Sequence, residues 1–278
     1  MTSSLVGSEM CIRDSYWNEY RNAQLVTKYN ESVSDLSDDQ YEKLWQEAEE
    51  YNAEHKVNTI VDAFNEEDYV LSHPYDEVLD PNGDGLMGSI EIPKLNLTLA
   101  IYHGLSTEVL EKGVGHVEGT SLPIGGASTH AVLAGHRGLP SAKLFTDLDR
   151  LQKGDIFLLH IYDQVFTYEV DQIHIVEPID YGLLNIEEGE DLCTLLTCTP
   201  YGINTERLLV RGHRIANRSG DNSRITSDAA KVSTVLVAVG IGIPLLIISF
   251  IAVDVSERVP KRKKKSKNRR RKATIQTR

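Results

Sequence analysis

Cys198 closes an apolar run, Thr194-Leu195-Leu196-Thr197-Cys198, and Arg207 follows nine residues later at the head of Arg207-Leu208-Leu209-Val210-Arg211. A strand that delivers a thiol to its end, followed by a strand carrying a guanidinium, suits a thiolate nucleophile beside a cationic oxyanion stabiliser. Upstream, His136 follows the apolar stretch Ala131-Val132-Leu133-Ala134 and has Gly135 and Gly138 beside it, where the backbone can bend and leave a ring exposed. An imidazole there could protonate a leaving amine and then deprotonate an incoming one. Arg211 and Arg214 compete with Arg207 for the cationic role, and Arg207 and Arg211, four apart, would share one face of a regular strand. His213, in Arg211-Gly212-His213-Arg214, is the weaker imidazole because it follows the arginine strand.

Those side chains need rigid elements to hold them. Strand signals recur at Gly88–Ile92, Leu97–Tyr102, His130–Ala134, Ile156–Ile161, Val165–Val170, Ile173–Val176, Leu192–Thr197 and Leu208–Val210, punctuated by Gly, Pro and Asp. Short strands in that rhythm predict a mainly β fold, a closed or nearly closed β-barrel over residues 86–216. One helix is expected between strands, from about Ala142 to Leu151, with Leu144, Phe145 and Leu148 on one face. Ahead of the barrel, residues 16–85 read as a helical N-terminal region, with Ser37 or Asp38 capping a helix that aligns Leu44, Ala48 and Tyr51. Asp80-Pro81-Asn82-Gly83-Asp84-Gly85 with Glu91 fits a calcium-loop pattern, but Ser89-Ile90-Glu91-Ile92-Pro93 reads as a strand where an EF-hand needs a helix. A turn entering the first strand is the expectation.

The segments around Cys198, His136 and Arg207 resemble the signature of the sortase family, threonine-leucine-any-threonine-cysteine with a downstream arginine and an upstream histidine. The longer stretch Thr197-Cys198-Thr199-Pro200-Tyr201-Gly202-Ile203-Asn204 is similar to the class C branch, the pilin-polymerising sortases. The resemblance runs from about Asp62 to Arg214 and implies a closed sortase-type barrel without metal or organic cofactor. It selects Arg207 among the arginines. It implies that Cys198 attacks a threonyl carbonyl in a sorting signal like Leu-Pro-x-Thr-Gly, forming a thioester that passes to a lysine amine of a pilin subunit. Class C sortases carry an N-terminal lid with an Asp-Pro-aromatic motif; here Asp62-Ala63-Phe64 is the match, with Ala63 in the proline position. The resemblance would pair Asp62 with Arg207 and lay Phe64 over Cys198.

Charge is divided sharply along the chain. Among 278 residues of net charge −12, residues 254–278 hold 12 of the 29 Lys and Arg and 2 of the 41 acids, leaving 17 basic against 39 acidic residues, a net of −22. An acidic body argues against a nucleic-acid partner. Residues 232–253 carry no charge; as a helix they would run about 33 Å, enough for a hydrocarbon core of roughly 30 Å. A C-terminal transmembrane helix follows, with 217–231 as linker and 254–278 as a basic cytoplasmic tail, and the acidic body outside the cell membrane. Residues 1–15 lack a basic start, an apolar core and a cleavage site, and read as a non-native scar in place of an export signal. Of the three cysteines, Cys193 and Cys198 are five apart, face opposite sides of one strand and do not pair; Cys193 is expected as an apolar filler.

Two other readings compete. One is a housekeeping-type sortase that anchors surface proteins to the peptidoglycan precursor, against which the C-terminal span and the lid-like segment speak. The other is a non-catalytic pilus-assembly adaptor, disfavoured by the presence of Cys198, His136 and Arg207 together.

Overall fold

The computed structural model describes residues 21–54, 72, 74–140, 142–178 and 180–217. The lid-like segment Asp62-Ala63-Phe64, the 217–231 stretch beyond its first residue, the apolar span 232–253, the basic tail and residues 1–15 lie outside the described residues. Among the described residues no helix is long and apolar enough to cross a membrane.

Eight strands close into a barrel: β1 (Leu86–Ile92), β2 (Leu97–His103), β3 (Val114–His116), β4 (Thr129–Ala134), β5 (Ile156–Ile161), β6 (Gln164–Val176), β7 (Asp191–Thr199) and β8 (Glu206–Ile215). Their order around the barrel is β1-β2-β3-β4-β7-β8-β6-β5, with β5 pairing back onto β1. Closure leaves no unpaired edge strand. The interior is filled by Ile90, Ile101, Leu133, Phe157, Leu159, Tyr168, Leu195 and Val210, each fully buried.

Two N-terminal helices pack onto the barrel wall, α1 over residues 21–34 and α2 from Asp38 to Glu54. Ser37 is the cap of α2. Its Oγ accepts from Gln40 N–H at 3.4 Å while its own N–H donates to Gln40 Oε1 at 3.1 Å, a reciprocal capping box. From α1, Tyr29 is buried and ties β1 to the β5–β6 turn: its hydroxyl donates to Met87 O at 2.7 Å and accepts from Tyr162 N–H at 3.0 Å. From α2, Trp45 stacks on Phe166 at 6.3 Å, and Asn52 Oδ1 accepts from Leu122 N–H at 2.7 Å. The helices therefore form a packed layer on the barrel.

The structure corrects two sequence expectations. No helix spans Ala142–Leu151: the segment is a series of turns with one 3-10 turn at Leu148–Arg150, and Leu144 sits at φ 37, which no α-helix accommodates. Leu144, Phe145 and Leu148 are nonetheless buried together, so the apolar spacing was read correctly and the backbone was not. Val165–Val170 and Ile173–Val176 belong to one strand, β6, with Asp171 as the extra residue of a bulge between the pairs Val170–Gly212 and Gln172–Arg211. The short strand β3 and helix α3 (Thr107–Lys112), capped by Ser106, complete the architecture.

The Asp80–Gly85 segment is a turn. Asp80 accepts from the backbone N–H groups of Asp84 at 3.1 Å and Gly85 at 2.8 Å, while Glu91 lies on β1 with an oxygen 3.3 Å from His160 Nε2. Both carboxylates have partners other than a shared ion.

Candidate active site

The parallel pairing of β4 with β7 builds the site. Its register sets Ala134 beside Leu196, so His136 and Cys198 each stand two residues beyond the same rung, at the same end of the barrel. Gly135 N–H continues the ladder by donating to Leu196 O at 3.0 Å, and Thr197 Oγ1 donates to Gly135 O at 2.7 Å. Antiparallel pairing with β8 then puts Arg207 directly across from Cys198. Directly opposed residues have Cβ atoms roughly 4.5–5.5 Å apart on one face. Thiol, imidazole loop and guanidinium converge by strand register alone.

The face they occupy is the outside of the barrel wall. Cys193 and Leu195 point into the main core, whereas Leu196 joins Val132, Ala134, Leu209, Val117 and Leu184 in a second apolar cluster. That cluster floors the surface leading away from Cys198, with Tyr181 and Leu184 supplied by the β6–β7 connection. Cys193 is the expected filler: it is fully enclosed and burial pushes its thiol well above the ordinary value, which keeps it inert.

Cys198 is more covered than a strand-end thiol would be, at 8% exposure, since β7 continues to Thr199 and Arg207 lies opposite. Arg207 is also buried, and its Nη1 donates to the carbonyls of Asn204 at 3.3 Å and Glu206 at 3.2 Å, which hold it over the β7–β8 turn. His136 is half-buried. Desolvation holds its imidazole below the usual value, with the Glu111 carboxylate pulling the other way, so the neutral ring that can accept a thiol proton is favoured. The loop carrying it is fixed by Phe145 N–H donating to His136 O at 3.1 Å and by Gly138 N–H donating to Thr146 Oγ1 at 3.0 Å.

The competing side chains are committed elsewhere. Arg211, opposite Thr194, is held by Asp171 at the β6 bulge and by Glu187, and these carboxylates raise its pKa further. Arg214 lies at the far end of β8, donating to Thr167 O at 3.1 Å with its guanidinium 5.0 Å from the Phe166 ring. His213 pairs across from Leu192, also far from Cys198. His130, on the same outer face as Cys198, bridges Thr194 Oγ1 at 2.8 Å and Asn185 O at 2.8 Å, and burial lowers its pKa. It pins the β6–β7 connection to the floor. The sequence reading of His130 as a structural or solvated histidine fits this role; its signal is a histidine at an outward position of a strand flanked by apolar neighbours.

The sortase domain family model matches residues 90–215. Streptococcus pneumoniae sortase C has a solved structure 45% identical to this chain, covering 70% of this chain and 98% of that one at a TM-score of 0.66. A pilus-related sortase C of Group B Streptococcus is 39% identical, covering 69% of this chain and 97% of that one at 0.64. Sortase D of Bacillus subtilis is 33% identical over 131 residues, 46% of this chain and 63% of that protein. The chain thus spans less than two thirds of that relative. It belongs to the sortase family, whose members are cysteine transpeptidases, and its structural neighbours place it on the class C branch.

Proposed function

We propose that this protein is a pilin-polymerising transpeptidase with Cys198 as nucleophile, His136 as general acid and base, and Arg207 as oxyanion stabiliser. The observation that carries the reading is the strand register that sets His136 and Cys198 beyond one rung of β4 and β7 with Arg207 across from the thiol. His136 takes the thiol proton and the Cys198 sulfur adds to the threonyl carbonyl carbon of a Leu-Pro-x-Thr-Gly-like signal. A permanently charged planar donor suits the resulting oxyanion. The carbon–nitrogen bond to glycine breaks as His136 returns its proton to the departing amine, leaving a thioester. A lysine amine of a pilin subunit then attacks that thioester, His136 takes its proton, and the thiol is released as the isopeptide bond forms.

The same reading makes residues 232–253 a membrane anchor with the basic tail in the cytoplasm and the barrel outside, which is where pilins are assembled. It makes Asp62 and Phe64 a lid, Asp62 paired with Arg207 and Phe64 over the thiol. The likeness to a pilus-related sortase C supports pilins over the peptidoglycan precursor as acceptor. Incubation of the acyl-enzyme with a pilin subunit and with a peptidoglycan-precursor amine decides it. Capture by a pilin lysine is expected, and exclusive capture by the precursor amine would make this a housekeeping-type enzyme.

A further inference from the structure

Arg137 follows the candidate general base directly, yet its side chain turns away from solvent. The guanidinium is 8% exposed, donates from Nη1 to Thr199 Oγ1 at 3.0 Å and from Nη2 to Asp149 Oδ2, and lies 6.0 Å from the Tyr201 ring. Thr199 follows Cys198 directly. On the other side, Thr197 Oγ1 donates to Gly135 O at 2.7 Å. The residues flanking His136 are thus bonded to the residues flanking Cys198, neighbour to neighbour, on both sides of the pair.

We infer that Arg137 is a positioning residue that sets the reach of His136 to Cys198 by bridging Thr199 on β7 and Asp149 on the following turn. This rests on the catalytic roles proposed above for His136 and Cys198. A β-ladder bond fixes Gly135, and past the end of β4 the His136 backbone is held on one side by Phe145 N–H donating to its carbonyl at 3.1 Å. The Arg137 fork adds a restraint from a different direction, towards β7. Its planar geometry holds two acceptors at a fixed separation, which an ammonium could not do. The Asp149 carboxylate compensates the buried cation, so the charge is retained inside rather than drawn towards substrate. That separates its role from that of Arg207. The neighbouring Gly138, at φ 80, brings the chain under the Tyr201 ring, where an added Cβ would lie 3.0 Å from Cε2. The His136 loop and the β7–β8 loop are therefore closed against each other around the Arg137 side chain.

The test is the steady-state cleavage of a fluorogenic sorting peptide by the full chain and by Thr199→Val, Thr199→Ser, Arg137→Met and the double variant Arg137→Met/Thr199→Val. Loss of aim without loss of binding predicts kcat down about tenfold or more in Thr199→Val, with KM changed by less than about twofold. Thr199→Ser, which keeps the acceptor oxygen, should retain the wild-type kcat. The double variant should be no slower than Arg137→Met alone, because both changes break one contact. Melting temperatures are measured in parallel, and Thr199→Val remains decisive should Arg137→Met fail to fold. A wild-type kcat in Thr199→Val, multiplicative losses in the double variant, or a kcat loss that merely follows the melting temperature would overturn the positioning role. A wild-type enzyme that cleaves no sorting peptide would instead overturn the proposed catalytic roles, and the positioning role with them.

Discussion

Replacing Gly135 with alanine should damage the site without touching any group proposed to react. A Cβ at this position would lie 2.8 Å from Phe145 Cδ2, 3.1 Å from Cγ and 3.3 Å from Cε2. Carbon atoms in contact prefer roughly 3.5–4.0 Å, so the ring or the loop must shift by several tenths of an ångström. Phe145 has nowhere to go. It is fully buried, packed in the main core, and its backbone N–H is bonded to His136 O. Overpacking of this kind costs about 1–3 kcal/mol, and the movement falls on the residue next to His136. Urea unfolding of Gly135→Ala should show the lower stability at unchanged m-value, and sorting-peptide cleavage should slow by about 10- to 100-fold through kcat. Phe145→Leu in the same chain should recover part of both losses, since it removes the obstructing ring atoms. Wild-type stability and wild-type kcat in Gly135→Ala would refute the claim that this ring fixes the histidine loop.

Other consequences can be checked separately. For the lid, Phe64→Ala should speed alkylation of Cys198 more than Asp62→Ala does, because a buried ring is worth about 1.5–3 kcal/mol and a partly exposed ion pair about 0–1; Ala63→Pro should slow it, and equal rates in all three would reduce the segment to an ordinary loop. For topology, a reporter fused after residue 278 and preceded by a working export signal should be active only in the cytoplasm, and a tail reached by external protease would contradict the anchor. For pH, burial pushes the His116 imidazole from 6.5 down to about 4, its Nε2–H donating to Ser121 O and its Nδ1 accepting from Tyr75. The unfolded chain therefore takes up a proton that the fold refuses, so stability should be full above pH 6.5 and fall by up to roughly 3 kcal/mol as pH drops towards 4. His130 and His136 act in the same direction. His116→Gln should flatten this slope, measured by urea unfolding at stepped pH, and an unchanged slope would show that His116 does not carry it.

The candidate residues were legible in part from strand ends, while the choice of Arg207 over Arg211 and Arg214 came from the sortase resemblance. Cys198 and Arg207 sit where apolar runs stop and start, and the hairpin that pairs them is local in sequence. The cap at Ser37 was equally local. What the sequence did not show is what depends on distant pairing or on unusual backbone. The β4–β7 ladder joins residues about sixty apart, and nothing in either segment names its partner. β3 is three residues long, too short for an alternating pattern to register. The false helix at Ala142–Leu151 arose because helical spacing and a folded turn can bury the same three side chains, and only the left-handed Leu144 separates them. Asp171 divided β6 in the sequence since a charged residue there reads as punctuation, whereas in the barrel it is the bulge that reaches Arg211. Arg137 was visible beside His136, but its turn towards Thr199 belongs to the packed loops and leaves no mark on the sequence.

The central claim is that Cys198 forms a thioester with the threonine of a sorting signal. Intact-mass measurement after mixing the full chain with a Leu-Pro-x-Thr-Gly-like peptide, quenched in acid, tests this directly. The account predicts a mass gain equal to the peptide cut after threonine, mapped to Cys198, erased by hydroxylamine and missing in Cys198→Ala. An adduct on another residue, or sorting-peptide cleavage that persists in Cys198→Ala, would contradict it.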